Sequence, residues 1–215
     1  FEMVRTFMKS SRDDKFLIKV VYELKEDGPA PDIVLAERRT LNGLVIDGKL
    51  NPTKFKKGNE LPTGFRDQEG YWYGIFYDPT VFLINQNYAR TVGQKAITGW
   101  ADLQNLKEPR ICMENLSNSI STQNFLGAFA DNVGEQTSLT YFWNLNRFNN
   151  EYGKFPFSTV RKTAVGDADI GITRQSYVFK YLENKFPAYV IIPKEGTPID
   201  LYGMGLFKDC ANESK

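Results

Sequence analysis

Residues 71–85 read YWYGIFYDPTVFLIN, a long aromatic and β-branched stretch, and no other segment constrains the fold as strongly. Such residues suit a pleated, packed surface. Asp78-Pro79 interrupts the stretch, and proline cannot donate to a strand ladder. The stretch therefore reads as two strand segments joined by a bend, or as an edge strand. Around it, strand-length apolar runs alternate with segments of helical periodicity, which predicts an α/β architecture.

The alternation extends along the whole chain. Residues 4–8 read as a strand, and Phe16, Leu17, Val20, Val21 and Leu24 fall on one helical face. Gly28-Pro29-Ala30-Pro31 stops that helix, and residues 32–36 (DIVLA) form a continuous apolar run, as a buried parallel strand would. The three together predict a βαβ unit. Helices are predicted over residues 40–46, from a Thr98 cap through Leu106, and over 125–130, 136–148, 159–165 and 177–184. Further strands are expected at 111–113, 169–173, 188–192 and 201–207, and a surface loop at 51–70.

Composition narrows the function classes. The 215 residues carry 27 Lys+Arg against 26 Asp+Glu, and a balance of +1 argues against a basic nucleic-acid module. With no histidine present, Ser-His-Asp and Cys-His catalysis and histidine-based metal sites are excluded within this sequence. Cys112 and Cys210 form no zinc pattern. They could make one bridge in an oxidising compartment or remain two small buried thiols. No run of 18 apolar residues is present to span a membrane.

Ligands of open α/β sheets lie beyond the carboxyl ends of strands, where helix N-termini point. Three polar turns stand at such places: residues 9–12 with Ser10 and Ser11, residues 36–40 with Glu37, Arg38 and Arg39, and residues 115–122 with Ser119, Ser121 and Thr122. Hydroxyl groups at a helix start suit an anion, although most such residues only cap their helix. Arg38 and Arg174 could clamp a carboxylate or phosphate. Glu37 and Tyr177 could supply oxygen to a hard metal. Tyr71, Trp72, Tyr73 and Tyr77 suit sheet packing or the wall of an aromatic cleft. Asp78 and Glu37 are the carboxylates an acid–base enzyme would use, yet no spacing demands such a pair, and the chain does not read as an enzyme.

Five stretches occur in a familiar order: PDIVLAERRTLNGLVIDGKLNP, GYWYGIFYDPTVFLINQNYA, TGWADL, GDADIGITRQSYVFKYL and PKEGTPIDLYGMGLFKDCAN. Together they resemble the bacterial extracellular solute-binding proteins of ABC transporters, with the type 2 periplasmic fold. The nearest branch is the one that binds ferric iron, phosphonates and sugar phosphates. The resemblance implies an α/β fold of two lobes with a ligand cleft between them. Lobe 1 would span residues 1–80, with 200–215 returning to it, and lobe 2 residues 81–199. The chain would cross between lobes around residues 77–85 and 196–203. The family pattern also places a first strand and helix before Phe1 and further helices after Lys208.

The resemblance implies a ligand between Ser10, Ser11 and Glu37 on one side and Ser119–Thr122, Ser158, Arg174 and Tyr177 on the other. Iron binders of this family use two adjacent tyrosines, a glutamate and a histidine. Here Ser176 replaces the first tyrosine, Tyr177 matches the second and Glu37 matches the glutamate, while the histidine is expected before Phe1. A cation at Arg174 disfavours Fe³⁺. With the hydroxyls opposite, it suits a phosphate, phosphonate or carboxylate, although Ile120 stands where anion loops often carry glycine. The expected function is capture of a small anionic solute for an ABC permease by a monomeric extracytoplasmic receptor, periplasmic or lipid-anchored, without a cofactor. Ferric-iron binding is the alternative, and the ligand-sensing domain of a membrane signalling receptor is an alternative of another class.

Overall fold

The computed structural model describes residues 31–93, 97–115, 120–182, 186–208 and 210. Its organising element is β3 (Trp72–Asn85), one continuous strand rather than two segments with a bend or an edge strand. Its first half, through Pro79, pairs antiparallel with β8 (Ile199–Phe207). Its second half pairs with β6 (Ile170–Arg174) on one side and β7 (Ala188–Ile191) on the other. Pro79 is accommodated where the strand changes partners, and the one irregularity in its pairing with β8 lies between Gly74 and Phe76.

The full order is β1-β8-β3-β6-β4-β5, with β2 (Leu50–Asn51) added to β8 and β7 to β3. β4 (Ile111–Glu114) lies parallel to both β6 and β5 (Asn149–Gly153). β1 (Ile33–Glu37) corrects the sequence expectation, because it pairs antiparallel with β8 and is not buried on both faces. Val34 and Ala36 face a core, while Ile33 and Leu35 on the opposite face stay about half exposed. A continuous apolar run cannot by itself reveal the direction of its partner. The predicted strand and helix at residues 4–24 lie outside the described residues. The polar β5 carries no hydrophobic period and escaped the sequence reading.

Seven helices are described. α1 (Arg38–Ile46) covers the β1–β8–β3 half, where Leu41 joins Leu50, Trp72, Leu201 and Phe207 in one core. A Cβ at Gly203 would stand 2.9 Å from Leu41 Cδ1 and from the Tyr73 carbonyl, so glycine permits this close packing. In the other half, the sheet is covered on both faces. Phe82 and Ile84 meet Trp100, Phe125 and Phe129, carried by α3 (Trp100–Gln104) and α4 (Ile120–Val133), with α5 (Glu135–Asn146) outside them. Val81 and Leu83 meet Val160 and Val178 on α6 (Pro156–Val165) and α7 (Gln175–Leu182). α2 (Gln86–Val92) follows β3, and the Asn85 side chain accepts from the Asn87 and Tyr88 amides to cap it.

The start of α3 is a second correction. Thr98 does not cap it; instead the Asp102 carboxylate accepts from Thr98 N, Thr98 Oγ1 and Gly99 N at 2.7–3.0 Å. Glu195, on the connection from β7 to β8, accepts from the Trp100 and Ala101 amides, while Trp100 Nε1 donates to the Gly196 carbonyl. That connection is thereby fastened to the twice-covered half before it crosses to β8. Cys112 and Cys210 are free thiols, both buried. Cys112 donates to Thr159 Oγ1 at 3.7 Å, whereas Cys210 joins the core under α1. Among the described residues, no helix is long and apolar enough to cross a membrane.

Candidate functional site

The two sheet halves meet where β3 and β8 run side by side. Asp78 stands opposite Asp200 and Pro79 opposite Ile199. Thr80 N donates to the Pro198 carbonyl at 3.0 Å, and Thr197 Oγ1 donates to the Thr80 carbonyl at 2.7 Å. β6 ends at the same level, with Arg174 opposite Thr80. The carboxyl end of β6 and the start of β8 thus meet beside the middle of β3, and open α/β sheets place ligands outside the carboxyl ends of their strands.

The convergence borders a small concavity that opens to solvent. Its base is apolar, from Met113, Phe125 and Ile172, and its polar wall carries Thr80, Glu114, Thr122, Thr173, Arg174 and Asp200. Arg174 Nε lies 2.7 Å from Asp200 Oδ2, with both side chains largely buried. Asp78 does different work. Its carboxylate accepts from Ser176 N at 3.0 Å and from Ser176 Oγ at 2.5 Å, at the start of α7. A carboxylate there satisfies a free helix amide and complements the positive end of the helix dipole.

Next along β8, Tyr202 OH donates to Glu37 Oε1 at 3.1 Å, and its ring stacks on Phe76 at 4.7 Å. Burial pushes the Tyr202 hydroxyl up to about 12, with the nearby Glu37 and Asp200 charges adding to the shift and Arg174 opposing it. Glu37, Tyr202, Asp200 and Arg174 therefore form one electrostatic group. Arg39 Nη1 on α1 donates to Asn124 Oδ1 on α4 at 3.3 Å, a contact between the two halves.

The structure gathers some of the sequence-predicted residues and separates others. Thr122 and Arg174 line the concavity, and Glu37 joins its charged group through Tyr202. Arg38 is exposed in the first turn of α1. Tyr77 is also exposed and meets Phe65 edge to face at 5.6 Å. Tyr177 packs edge-on against Phe157 at 5.1 Å beside the Val160–Val178 core, and Ser158 lies on the neighbouring α6. Ser10, Ser11 and Ser119 lie outside the described residues. Ser121 falls in the first turn of α4, with its side chain outside them.

Sequence reasoning missed Thr80, Glu114, Asp200, Tyr202 and the Arg39–Asn124 contact, and it weighed Asp78 only as an acid–base group. The signal for Asp200 was present, because an acid inside the apolar strand IDLYGMGLF needs a buried partner. Among the described residues, no group of three or more His, Cys, Asp or Glu side chains could hold a metal ion.

Solved structures share this fold. The ferric binding protein from Campylobacter jejuni superposes with a TM-score of 0.67 at 19% identity, covering 84% of this chain and 61% of that one. The ferric iron-binding protein A of Mannheimia haemolytica, in an open conformation, gives 0.71 at 19%, covering 86% and 61%. The periplasmic binding protein AfuA from Actinobacillus pleuropneumoniae, with fructose-6-phosphate bound, gives 0.63 at 20%, covering 87% and 61%. The chain thus spans about three-fifths of the length of these proteins. These likenesses show the two-lobed periplasmic-binding-protein fold, with its cleft between the lobes. No curated protein sequence matches this chain significantly. The family model for bacterial extracellular solute-binding proteins matches residues 28–215, and the chain belongs to that family.

Proposed function

We propose that this chain is the solute-capturing body of an extracytoplasmic receptor for an ABC importer, a binder rather than an enzyme. A small polar solute enters the concavity, and the lobes close on it by bending at the two crossings. The supporting observation is the concavity at the meeting point of the sheet halves, where an apolar lining carries Arg174, Asp200 and Glu114 and the crossing strands form the border. Contacts made to both lobes would favour the closed state over the open one. The proposed lobes are residues 1–80 with 200–215 returning, and 81–199. The receptor delivers its solute as a monomer to a membrane permease.

The expected anionic solute rests on Arg174, whose Nε is already occupied by Asp200. An anion would have to share that guanidinium through its remaining N–H groups. The second reading, Fe³⁺ as cargo, is favoured by the ferric-binding neighbours and by the Glu37–Tyr202 oxygen pair.

Native mass spectrometry of the purified protein, compared with its denatured mass, tests the receptor reading, with a retained small solute as the expected result. For iron, ferric citrate should produce a visible tyrosinate-to-Fe³⁺ band. Tyr177→Phe and Tyr202→Phe identify which hydroxyl ligates, and a colourless protein at saturating ferric citrate removes that reading.

A further inference from the structure

The described wall of the concavity carries more acid than base, with Glu114 and Asp200 against Arg174. An arginine does not lose its proton in a protein, so a buried guanidinium is neutralised only by a partner. Asp200 is that partner at 2.7 Å, and its side chain is only 9% exposed against 16% for Arg174. Asp78, opposite Asp200 on β3, is engaged by Ser176 and does not compete for the guanidinium. β8 thus fixes one carboxylate against the concavity's described cation, and Glu114 adds a second negative charge to the same wall.

We propose that Asp200 determines the charge preference of the cleft. As a built-in counter-ion it keeps Arg174 from drawing in simple inorganic anions, and the accepted solute brings a neutral polar or positively charged group to the Asp200–Glu114 wall. This rests on the receptor reading above. A bare anion approaching Arg174 meets like charge at close range in a partly desolvated site, where salt screens it weakly. A purely structural tie between β8 and β6 would affect stability but leave anion affinity unchanged.

The test is calorimetric titration of inorganic phosphate into the wild type, Asp200→Asn and Asp200→Asn/Arg174→Gln, with native mass spectrometry of each sample. Asp200→Asn should bind phosphate about tenfold or more tightly than the wild type, because it removes a like charge while keeping the shape. The double variant should lose that gain. Glu114→Gln leaves the ion pair intact and should give a smaller gain, which keeps the test decisive if Asp200→Asn fails to fold. A neutral, zwitterionic or cationic solute retained by the wild type supports the proposal, whereas a net anionic one overturns it. Unchanged phosphate affinity in the folded variants, or a gain that survives in the double variant, also overturns it. If the wild type retains a solute while the variants gain no phosphate affinity, only the role of Asp200 falls. If no sample retains any solute and none gains phosphate affinity, the receptor reading falls with it.

Discussion

The two halves of β3 live in different surroundings. From Val81 to Ile84 every side chain is at most 1% exposed, because helices cover both faces of the sheet there. In the other half, Trp72 is buried under α1, but Phe76 is 44% exposed and shares its sheet face with the half-exposed Leu35 and Met204. The comparison separates burial from strand character, since one strand serves a core sealed on both sides and then the open margin of a site. Phe82→Ala should lower unfolding free energy by about 3–5 kcal/mol, the range for a large aromatic removed from a sealed core. Phe76→Ala should cost about 1 kcal/mol, mostly its stack on Tyr202. Denaturant unfolding with unchanged slopes checks both, and equal costs would break the comparison.

Between these halves, two carboxylates in register have unequal partners. Asp78 holds a helix start and Asp200 holds a guanidinium. Asp78→Ala should cost about 1–2 kcal/mol, the upper part of the range for losing a helix cap, because the Ser176 amide and hydroxyl both lose their acceptor. Hydrogen exchange should quicken in the first turn of α7 before it changes in β6. Uniform loss of protection across both would show that Asp78 supports the whole crossing and not the helix alone.

Most of the strands and helices were legible because burial leaves a period in the sequence. The aromatic and β-branched stretch 71–85 reads as strand, and it is strand throughout Trp72–Asn85. The failures have physical causes. β5 (NNEYG) is placed by backbone pairing to β4 and has no apolar pattern to betray it. Asp78-Pro79 looks like a break because proline cannot donate, yet the strand loses little by a missing donor where its partners change. The candidate site was harder. Arg174 and Thr122 stand at strand and helix ends, which sequence can locate. The partners that decide their chemistry come from strands distant in sequence and become neighbours only when β8 returns beside β3. Tyr202 and Asp200 are therefore visible as residues, while their roles are not.

The same crossing should carry a pH signature. The Tyr202 hydroxyl is raised from 10.0 to about 12, chiefly by burial and then by Glu37. The neutral hydroxyl is thus favoured in the folded protein. Its contribution to stability is complete below pH 10, declines as the unfolded chain begins to ionise, and is spent once the pH passes about 12. Tyr202→Phe should flatten the alkaline loss of stability across that window and remove one late-titrating tyrosine from the absorbance titration. An unchanged alkaline profile would detach Tyr202 from the charged group around Asp200.

The smallest effect on stability should come from a surface contact between the two halves. Arg39 and Asn124 lie on the surface at 3.3 Å, so Arg39→Ala should change unfolding free energy by only about 0.5 kcal/mol. Yet the pair joins α1, which covers one half, to α4, which covers the other. A bond made only when the halves are near each other stabilises the closed arrangement and does nothing for the open one. Arg39→Ala should therefore lengthen the mean distance between the halves in the unliganded protein, as read by small-angle scattering or by a pair of spectroscopic labels. The melting temperature should hardly move. An unchanged distance would mean that the crossing strands alone set the angle between the sealed half and the open half.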